Sequence, residues 1–202
     1  MPFRNTQTRY GAAAQAAHWL TFLLLIGSFS LGFYMADLTL SPTRLKLYAY
    51  HKWIGVTIFV LVTLRLAWRL WSAPPPLPDS MPAWEKRAAE ISHRLLYLLL
   101  FAVPLSGWLM SSAKGFQTVL FEVLPIPDLL SKNPPLGAAL EEVHWLLNKM
   151  LLGLVLLHVA AAFKHHFADH DEVLARMTPG LSPPPSSFQP SRQSTQDSTE
   201  SS

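Results

Sequence analysis

The chain contains no cysteine, and only 14% of its 202 residues are charged. Without cysteine the protein can form no disulfide, no thiolate-ligated iron–sulfur cluster and no covalent attachment of a c-type haem. Half of the residues are apolar, and they are concentrated in blocks of about 20 residues, the length that a helix needs to cross the hydrocarbon core of a bilayer. The composition therefore favours an integral membrane protein over a disulfide-stabilised or iron–sulfur protein.

Four apolar blocks are predicted to be the membrane-spanning helices of an all-α bundle. They cover about residues 15–36, 51–71, 91–110 and 143–163. Each block carries a few polar residues, as expected of a bundle helix with one inward face. The first block is not expected to be a cleaved signal peptide, because only Arg4 and Arg9 precede it and no small-residue cleavage site follows it.

The polar and proline-rich stretches divide the chain into one membrane domain, residues 1–179, and a tail, residues 180–202. The tail consists mainly of Ser, Pro, Gln and Thr and is predicted to be disordered, because it lacks the apolar residues that bury a core. The connection 111–135 is expected to be an outer loop with one short helix. Before the second span, Ser41-Pro42 is typical of a helix start, with serine as N-cap and proline at the first helical position.

Lysine and arginine near the span ends predict the orientation of the bundle. With four spans both termini lie on one side, which carries Arg4, Arg9, Arg65, Arg69, Lys86, Arg87, Arg94, Lys164 and Arg176. The opposite side carries only Arg44, Lys46, Lys52, Lys114 and Lys132. Both termini are therefore predicted to be cytoplasmic. Because the basic residues cluster at span ends and form no basic stripe, the pI of about 9.3 indicates membrane topology and no nucleic-acid partner.

Four histidines lie inside three of these apolar blocks, namely His18, His51, His144 and His158. An ionisable side chain is costly inside a bilayer, so its presence indicates a functional site with a partner. His144 and His158 are fourteen residues apart on one predicted helix. That spacing returns both rings to nearly the same face of the helix, about 21 Å apart along its axis. One helix can therefore supply ligands at two depths.

Depth in the membrane pairs these histidines. The first span runs outward and the second and fourth run inward, which brings His51 to the depth of His144, and His18 to the depth of His158. Neutral imidazole suits iron, and haem in a four-helix bundle is bound by side chains on facing helices. The sequence thus predicts two non-covalent b-type haems with these pairs as axial ligands. Any one histidine could merely hydrogen-bond within the bundle, but that explanation does not account for two depth-matched pairs.

The residues around these histidines form an ordered set along the chain. Its pieces are His18-Trp19-Leu20, His51-Lys52-Trp53-Ile54-Gly55, Thr63-Leu64-Arg65-Leu66-Ala67-Trp68-Arg69, Ser92-His93-Arg94-Leu95-Leu96-Tyr97-Leu98-Leu99-Leu100, His144-Trp145, and Leu157-His158-Val159-Ala160-Ala161-Ala162 followed by His165-His166. No single piece is specific. The whole set, over about residues 10–179, resembles the bacterial cytochrome b561 family.

The resemblance implies a four-helix diheme cytochrome b of the bacterial cytoplasmic (inner) membrane that passes single electrons between the membrane faces. It implies ubiquinone or another quinone as partner, and similar members are superoxide:ubiquinone oxidoreductases that oxidise superoxide at the outer face. Its haem ligands correspond here to the four histidines already paired by depth. The Ser/Pro-rich tail is not part of the family pattern.

Three further residues are candidates for contact with the inner haem or the quinone. His93, at the start of the third span, is an alternative inner ligand, a hydrogen-bond partner of a propionate or a quinone carbonyl, or a plain interfacial histidine. His165 follows His158 by seven residues, which places it on the haem face nearer the cytoplasm, where an imidazole can exchange a proton with a reduced quinone; a basic membrane anchor is the alternative explanation. Arg65 can pair bidentately with a propionate or extend to the phosphate head groups of lipids. Lys149 lies off the ligand face, and the sequence predicts no role for it.

The sequence therefore predicts an oxidoreductase that transfers single electrons between a donor and the quinone pool. Superoxide is a candidate donor, which Lys52, Lys114 and Lys132 at the outer side could attract. One alternative is a cytochrome b anchor subunit of a hydrogenase or formate-dehydrogenase-like complex, which would purify with a large peripheral partner. Another is a haem-free membrane bundle or transporter. The sequence leaves open the donor, the quinone type, the direction of electron flow and whether the protein is a homodimer.

Overall fold

The computed structural model describes residues 2–182 of the chain. Within them lie five helices, α1 Ala12–Ala36, α2 Pro42–Trp71, α3 Ala83–Lys114, α4 Pro134–Phe167 and the short α5 Val173–Met177, and two strands, β1 Val119–Leu120 and β2 Leu124–Pro125. The four long helices are each long and apolar enough to cross a membrane, and they contain the four predicted apolar blocks. The tail predicted to be disordered from residue 180 lies, beyond residue 182, outside the described residues.

Helix starts follow from capping residues in the sequence. The Ser41 side chain accepts a hydrogen bond from the backbone N–H of Arg44 at 3.2 Å, and Pro42 is the first helical residue. Asn133 does the same for α4 by accepting from the N–H of Leu136 at 3.2 Å. Both side chains satisfy a backbone donor that has no partner within the helix. The predicted start at Ser41-Pro42 is confirmed.

The prediction of a short helix in the connection 111–135 was wrong. Helix α3 continues to Lys114 and stops at Gly115, whose positive φ of 77° favours glycine. The chain then forms an antiparallel hairpin of β1 and β2, turning through Phe121 and Glu122 with φ of 51° and 62°. The proline content of this segment explains the difference, since proline removes backbone donors that a helix needs. The all-α prediction holds apart from this two-residue pairing.

The four long helices share one apolar core. The closely packed pairs are α1 with α2, α2 with α3, and α3 with α4. Every long helix contributes to the buried cluster, which consists of Leu25, Ile58, Val62, Leu99, Leu100 and Leu151. Many large apolar side chains on the other faces of the helices are exposed, as expected where lipid and not water surrounds a helix. The four helices therefore enclose a buried interior, and the helix faces that line it carry the histidines.

Segments at both ends of the chain meet at one end of the bundle. The Trp19 indole N–H donates to the carbonyl of Met177 at 3.0 Å, and the Arg9 guanidinium donates to that of Thr178 at 2.8 Å. The Gln15 amide donates to the carbonyl of Arg176 at 3.2 Å. Helix α5, which the sequence did not predict, is thereby held against the start of α1. We call this end of the bundle the terminal end and the opposite end, with the hairpin, the loop end.

Leu151 is the core residue whose loss is expected to cost most stability. Its side chain is 1% exposed in the middle of α4. We expect Leu151→Ala to lower the free energy of unfolding by about 2–5 kcal/mol, through lost apolar contact and the cavity left behind. Leu157→Ala is the matched control, because Leu157 on the same helix is 62% exposed. Unfolding of both variants in detergent measures the difference, and equal midpoints would contradict the prediction.

Candidate functional site

On each of the four long helices, three residues spaced seven apart lie on nearly the same face, since seven residues make about two helical turns. The series are His18, Leu25 and Gly32 on α1; His51, Ile58 and Arg65 on α2; His93, Leu100 and Gly107 on α3; and His144, Leu151 and His158 on α4. Together they form three levels across the bundle. The terminal level holds His18, Arg65, His93 and His158; the middle level holds the four apolar residues; and the loop level holds Gly32, His51, Gly107 and His144.

At the loop level the rings of His51 and His144 face each other. Their centroids are 6.4 Å apart and their planes are nearly perpendicular, at 87°. The Nδ1 atom of His144 lies 3.1 Å from the carbonyl oxygen of Val103 and 2.9 Å from the hydroxyl of Ser106. A proton on Nδ1 that is donated to this carbonyl leaves the Nε2 lone pair available to a metal. His144 could therefore offer Nε2 to a metal while its Nδ1 side stays hydrogen-bonded.

Two glycines lie against these rings. A Cβ atom added at Gly107 would lie 3.0 Å from Cε1 of His144, and one added at Gly32 would lie 3.4 Å from Cε1 of His51. The same addition at Gly55 or Gly153 meets nothing within 4 Å. The loop-level glycines are therefore the ones that let helices approach the histidines closely. Sequence reasoning missed Gly32, although its position fourteen residues after His18 was a signal for it.

At the terminal level one histidine has two neighbours. The ring centroid of His158 lies 6.2 Å from that of His18 and 5.6 Å from that of His93. The depth-matched pair of His18 and His158 is therefore brought together, as His51 and His144 are. His93 lies nearer to His158 than His18 does, which fits either a ligand of the inner haem or a hydrogen-bond partner at this level.

Arg65 adds a positive charge to the terminal level. Its guanidinium donates to Nδ1 of His18 at 2.9 Å. Because arginine can only donate, Nδ1 must be the acceptor, and a neutral His18 then carries its proton on Nε2. Ligation through Nε2 would require Arg65 to release this bond. Next to this level, ahead of α1, burial raises the pKa of the Tyr10 phenol, while the charges of Arg69 and Arg65 oppose that rise.

His165 lies beyond the terminal level in a network of charged residues. Its Nδ1 is 2.7 Å from Oδ2 of Asp171 and 3.1 Å from Oδ2 of Asp169. The ammonium of Lys164 contacts Oε1 of Glu85 at 3.0 Å and Oδ2 of Asp169 at 2.7 Å. Glu85, His165 and Asp169 have potential metal-ligating atoms within 4.8 Å of one another, but the ammonium of Lys164 already contacts both carboxylates. Sequence reasoning found His165 and missed Asp171.

The outer-loop cations have partners of their own. Lys52 donates to the carbonyl of Phe116 at 2.9 Å, and the indole of neighbouring Trp53 donates to that of Val119 at 2.7 Å. These bonds hold the hairpin segment against α2, beside His51. Lys114 forms a salt bridge of 2.7 Å with Glu141, which weakens the expectation that it attracts an anionic donor.

Lys149, for which the sequence gave no role, has a structural one. Its ammonium lies 3.5 Å from the ring centre of Trp145, one turn away on α4. A cation over an indole face is stabilised by the ring quadrupole, and the contact directs the charge toward the loop end.

Comparison with known proteins identifies the family to which this chain belongs. The model of the prokaryotic cytochrome b561 family matches residues 9–180. The chain belongs to this family. It is 36% identical over 179 residues to cytochrome b561 homolog 2 of Escherichia coli strain K12, across 88% of this chain and 95% of that relative. It is 27% identical over 181 residues to the probable superoxide oxidase CybB of Yersinia pestis, across 85% of this chain and 96% of that relative.

Membership in the cytochrome b561 family makes this membrane protein an electron-transport oxidoreductase and implies b-type haem. The histidine geometry fits such a group. Two metal–nitrogen bonds of about 2 Å place opposed imidazole centres about 6 Å apart, close to the 6.4 Å of His51 and His144 and the 6.2 Å of His18 and His158. The second point of fit is the absence of a side chain at Gly32 and Gly107, where a Cβ would lie within 3.0–3.4 Å of the imidazole rings.

Proposed function

We propose that this cytochrome b561 holds two b-type haems and passes single electrons across the bacterial inner membrane between an outer donor and the quinone pool. His51 and His144 would hold the haem at the loop level, and His18 and His158 the one at the terminal level. The observation that carries the proposal is the pair of ring separations, 6.4 Å and 6.2 Å, at two levels of one bundle. Residues 1–179 would form this single domain.

A bis-histidine haem has no open coordination position, so it supplies one-electron exchange in preference to oxygen binding. The chain contributes the orientation of the rings. The carbonyl of Val103 holds the Nδ1 side of His144 at 3.1 Å, and such a hydrogen bond fixes both the tautomer and the direction of a ligand. The buried leucine and isoleucine of the middle level keep water out of the space between the two histidine levels.

At the terminal level Arg65 would bind a propionate. Its guanidinium is partly buried in the bundle beside His18 and forms no salt bridge within the described residues. A carboxylate is a stronger acceptor for a guanidinium than a neutral imidazole, so a propionate would draw Arg65 from Nδ1 of His18 and free that ring to ligate through Nε2. His93 would donate to a propionate or to a quinone carbonyl, and His165 would exchange a proton with the quinone.

The proposed orientation of the protein in the membrane rests on the charges at the two ends. The basic residues at the terminal end favour cytoplasmic termini, which would place the loop level outside and the quinone near the cytoplasmic face. Superoxide as donor rests on the likeness to the Yersinia pestis relative, whose name is probable superoxide oxidase. Lys52 and Lys132 near the loop end would favour the approach of an anion.

The overall reaction balances with two donors for each acceptor. Two superoxide anions lose one electron each and become two molecules of oxygen. One ubiquinone gains those two electrons and two protons and becomes ubiquinol. The protein therefore has to transmit single electrons and deliver protons only at the quinone.

A direct test begins with the detergent-purified protein. We expect a dithionite-reduced minus oxidised spectrum of b type and two haems per chain by pyridine haemochrome. Superoxide should then reduce the oxidised protein, superoxide dismutase should abolish that reduction, and a water-soluble ubiquinone analogue should reoxidise it.

Other outcomes would each contradict part of the proposal. A haem-free protein would indicate a membrane bundle or transporter. Purification with a large peripheral partner would indicate an anchor subunit of a respiratory complex, and a haem-loaded protein that superoxide does not reduce would need another donor. Light scattering of the same preparation distinguishes a monomer from a homodimer.

A further inference from the structure

The turn after α4 places a carboxylate against His165. The backbone N–H of Asp171 donates to the carbonyl of His165 at 3.0 Å, and its Oδ2 lies 2.7 Å from Nδ1 of the same residue. His170 makes this return possible with a left-handed φ of 53°. The other oxygen of Asp171, Oδ1, accepts from the N–H of Val173 at 2.9 Å, at the start of α5. Asp171 is thus fixed at both of its oxygens.

The contact is shielded from water. The side chains of His165 and Asp171 are each only 13% exposed. A short hydrogen bond between an imidazole N–H and a carboxylate is stronger when solvent does not compete for it. The ring of His165 is therefore held in one orientation, with Nδ1 as the donor to Asp171.

The carboxylates that face His165 differ in whether they also contact the ammonium of Lys164. Asp169 lies 3.1 Å from Nδ1 of His165, but its Oδ2 is also 2.7 Å from the ammonium of Lys164. Glu85, which approaches from α3, is bound to the same ammonium at 3.0 Å. Within the described residues Asp171 forms no salt bridge except that with His165. Asp171 is therefore the carboxylate dedicated to His165.

We propose that Asp171 is a positioning residue that holds the Nδ1 proton of His165 and so presents its Nε2 to the quinone. This inference rests on the proposed reaction with quinone. Reduction of one quinone takes two electrons, which arrive through the protein, and two protons. Nε2 of a protonated His165 gives one proton to a quinone oxygen, and the aqueous side at the terminal end supplies the second proton and reprotonates His165. The carboxylate stabilises the charged ring before transfer and keeps the correct tautomer after it.

The position of His165 on α4 suits this role. It follows His158 by seven residues, about 10.5 Å along the axis on nearly the same face. A quinone ring between the terminal level and His165 would have the electron source on one side and the proton source on the other.

Asp171→Asn tests the proposal with little disturbance of the turn, because the amide oxygen of asparagine can still accept from the N–H of Val173. We expect the reoxidation of the reduced protein by a water-soluble ubiquinone analogue to slow about tenfold or more, within the range of general acid–base contributions, while haem content and spectrum stay unchanged. Glu172→Gln is the matched control, since Glu172 contacts Arg176 and not His165.

A double-mutant cycle separates positioning from a merely structural role. In a His165→Gln background, Asp171→Asn should cause no further loss of rate. An additive loss would overturn the proposal, and so would a larger loss in Asp169→Asn than in Asp171→Asn.

The tautomer of His165 gives a readout that does not depend on activity. In ¹⁵N-histidine-labelled protein, with the signal assigned by its absence in His165→Gln, the neutral ring should carry its proton on Nδ1. Asp171→Asn should move the equilibrium toward the Nε2 form, and an unchanged tautomer would overturn the proposal. If the wild-type protein is not reoxidised by the quinone analogue, the proposed function itself fails. If the wild type reacts and Asp171→Asn reacts equally fast, only the role of Asp171 fails.

Discussion

Replacing His144 by alanine is expected to remove the loop-level haem and to halve the haem content of the purified protein. The ring of His144 faces that of His51 at 6.4 Å, and its Nδ1 side is held by Val103. Without it the iron would keep one protein ligand of two, and a non-covalent haem depends on both. Pyridine haemochrome per chain measures the loss, and the reduced spectrum should retain the contribution of the terminal-level haem.

A matched control distinguishes ligation from a general effect of losing a histidine. His170 lies in the exposed turn after α4, and His170→Asn should leave haem content unchanged, because asparagine tolerates its left-handed backbone. His144→Ala with full haem content would contradict the assignment of the loop-level pair.

The same measurement identifies the partner of His158. His18→Ala is expected to remove the terminal-level haem, whereas His93→Ala should retain it. His93 lies 5.6 Å from His158, even nearer than the 6.2 Å of His18, so distance alone does not choose between them. If the two variants behave in the opposite way, the ligand is His93, and the pairing by depth is wrong at this level.

Filling the space beside His144 should have nearly as large an effect without removing a ligand. We expect Gly107→Leu to abolish haem binding at the loop level, because even a Cβ there would lie 3.0 Å from Cε1 of His144 and the larger side chain would occupy the space beside the ring. The haem content should fall by half, as in His144→Ala, with both histidines still present.

Gly153→Leu is the control for Gly107→Leu. Gly153 is an exposed glycine within a membrane-capable helix, and a Cβ there meets nothing within 4 Å. It therefore reproduces the gain in helix propensity and apolar volume without approaching a histidine. Full haem content in Gly107→Leu, or equal losses in both variants, would contradict the expected need for a glycine beside the ring of His144.

Much of the site was predictable because helix geometry is regular. The fourteen-residue spacing of His144 and His158, together with the alternating direction of the spans, predicts that His51 lies near His144 and His18 near His158. The structure brings both predicted ring pairs together. That they bind haem stays a prediction.

Other parts of the site depend on contacts between different helices or across a turn, which the period of a single helix does not predict. Asp171 meets His165 only because the chain turns back through His170. Gly32 lies on a different helix from the histidine that it accommodates. The hairpin of β1 and β2 replaces the helix expected in the outer connection, since two-residue strands are too short to leave an alternating pattern.

The sequence by itself determined the membrane class, the four helices and the two depths at which histidines lie, because hydrophobic length and the 3.6-residue period act locally along the chain. Only the tertiary structure decided that Arg65 donates to His18, that His93 also approaches His158, and that Asp171 holds His165. Which side chains fill the space between neighbouring helices depends on the rotation and separation of those helices. Packing of the whole bundle sets both quantities, and no single segment of the sequence contains them.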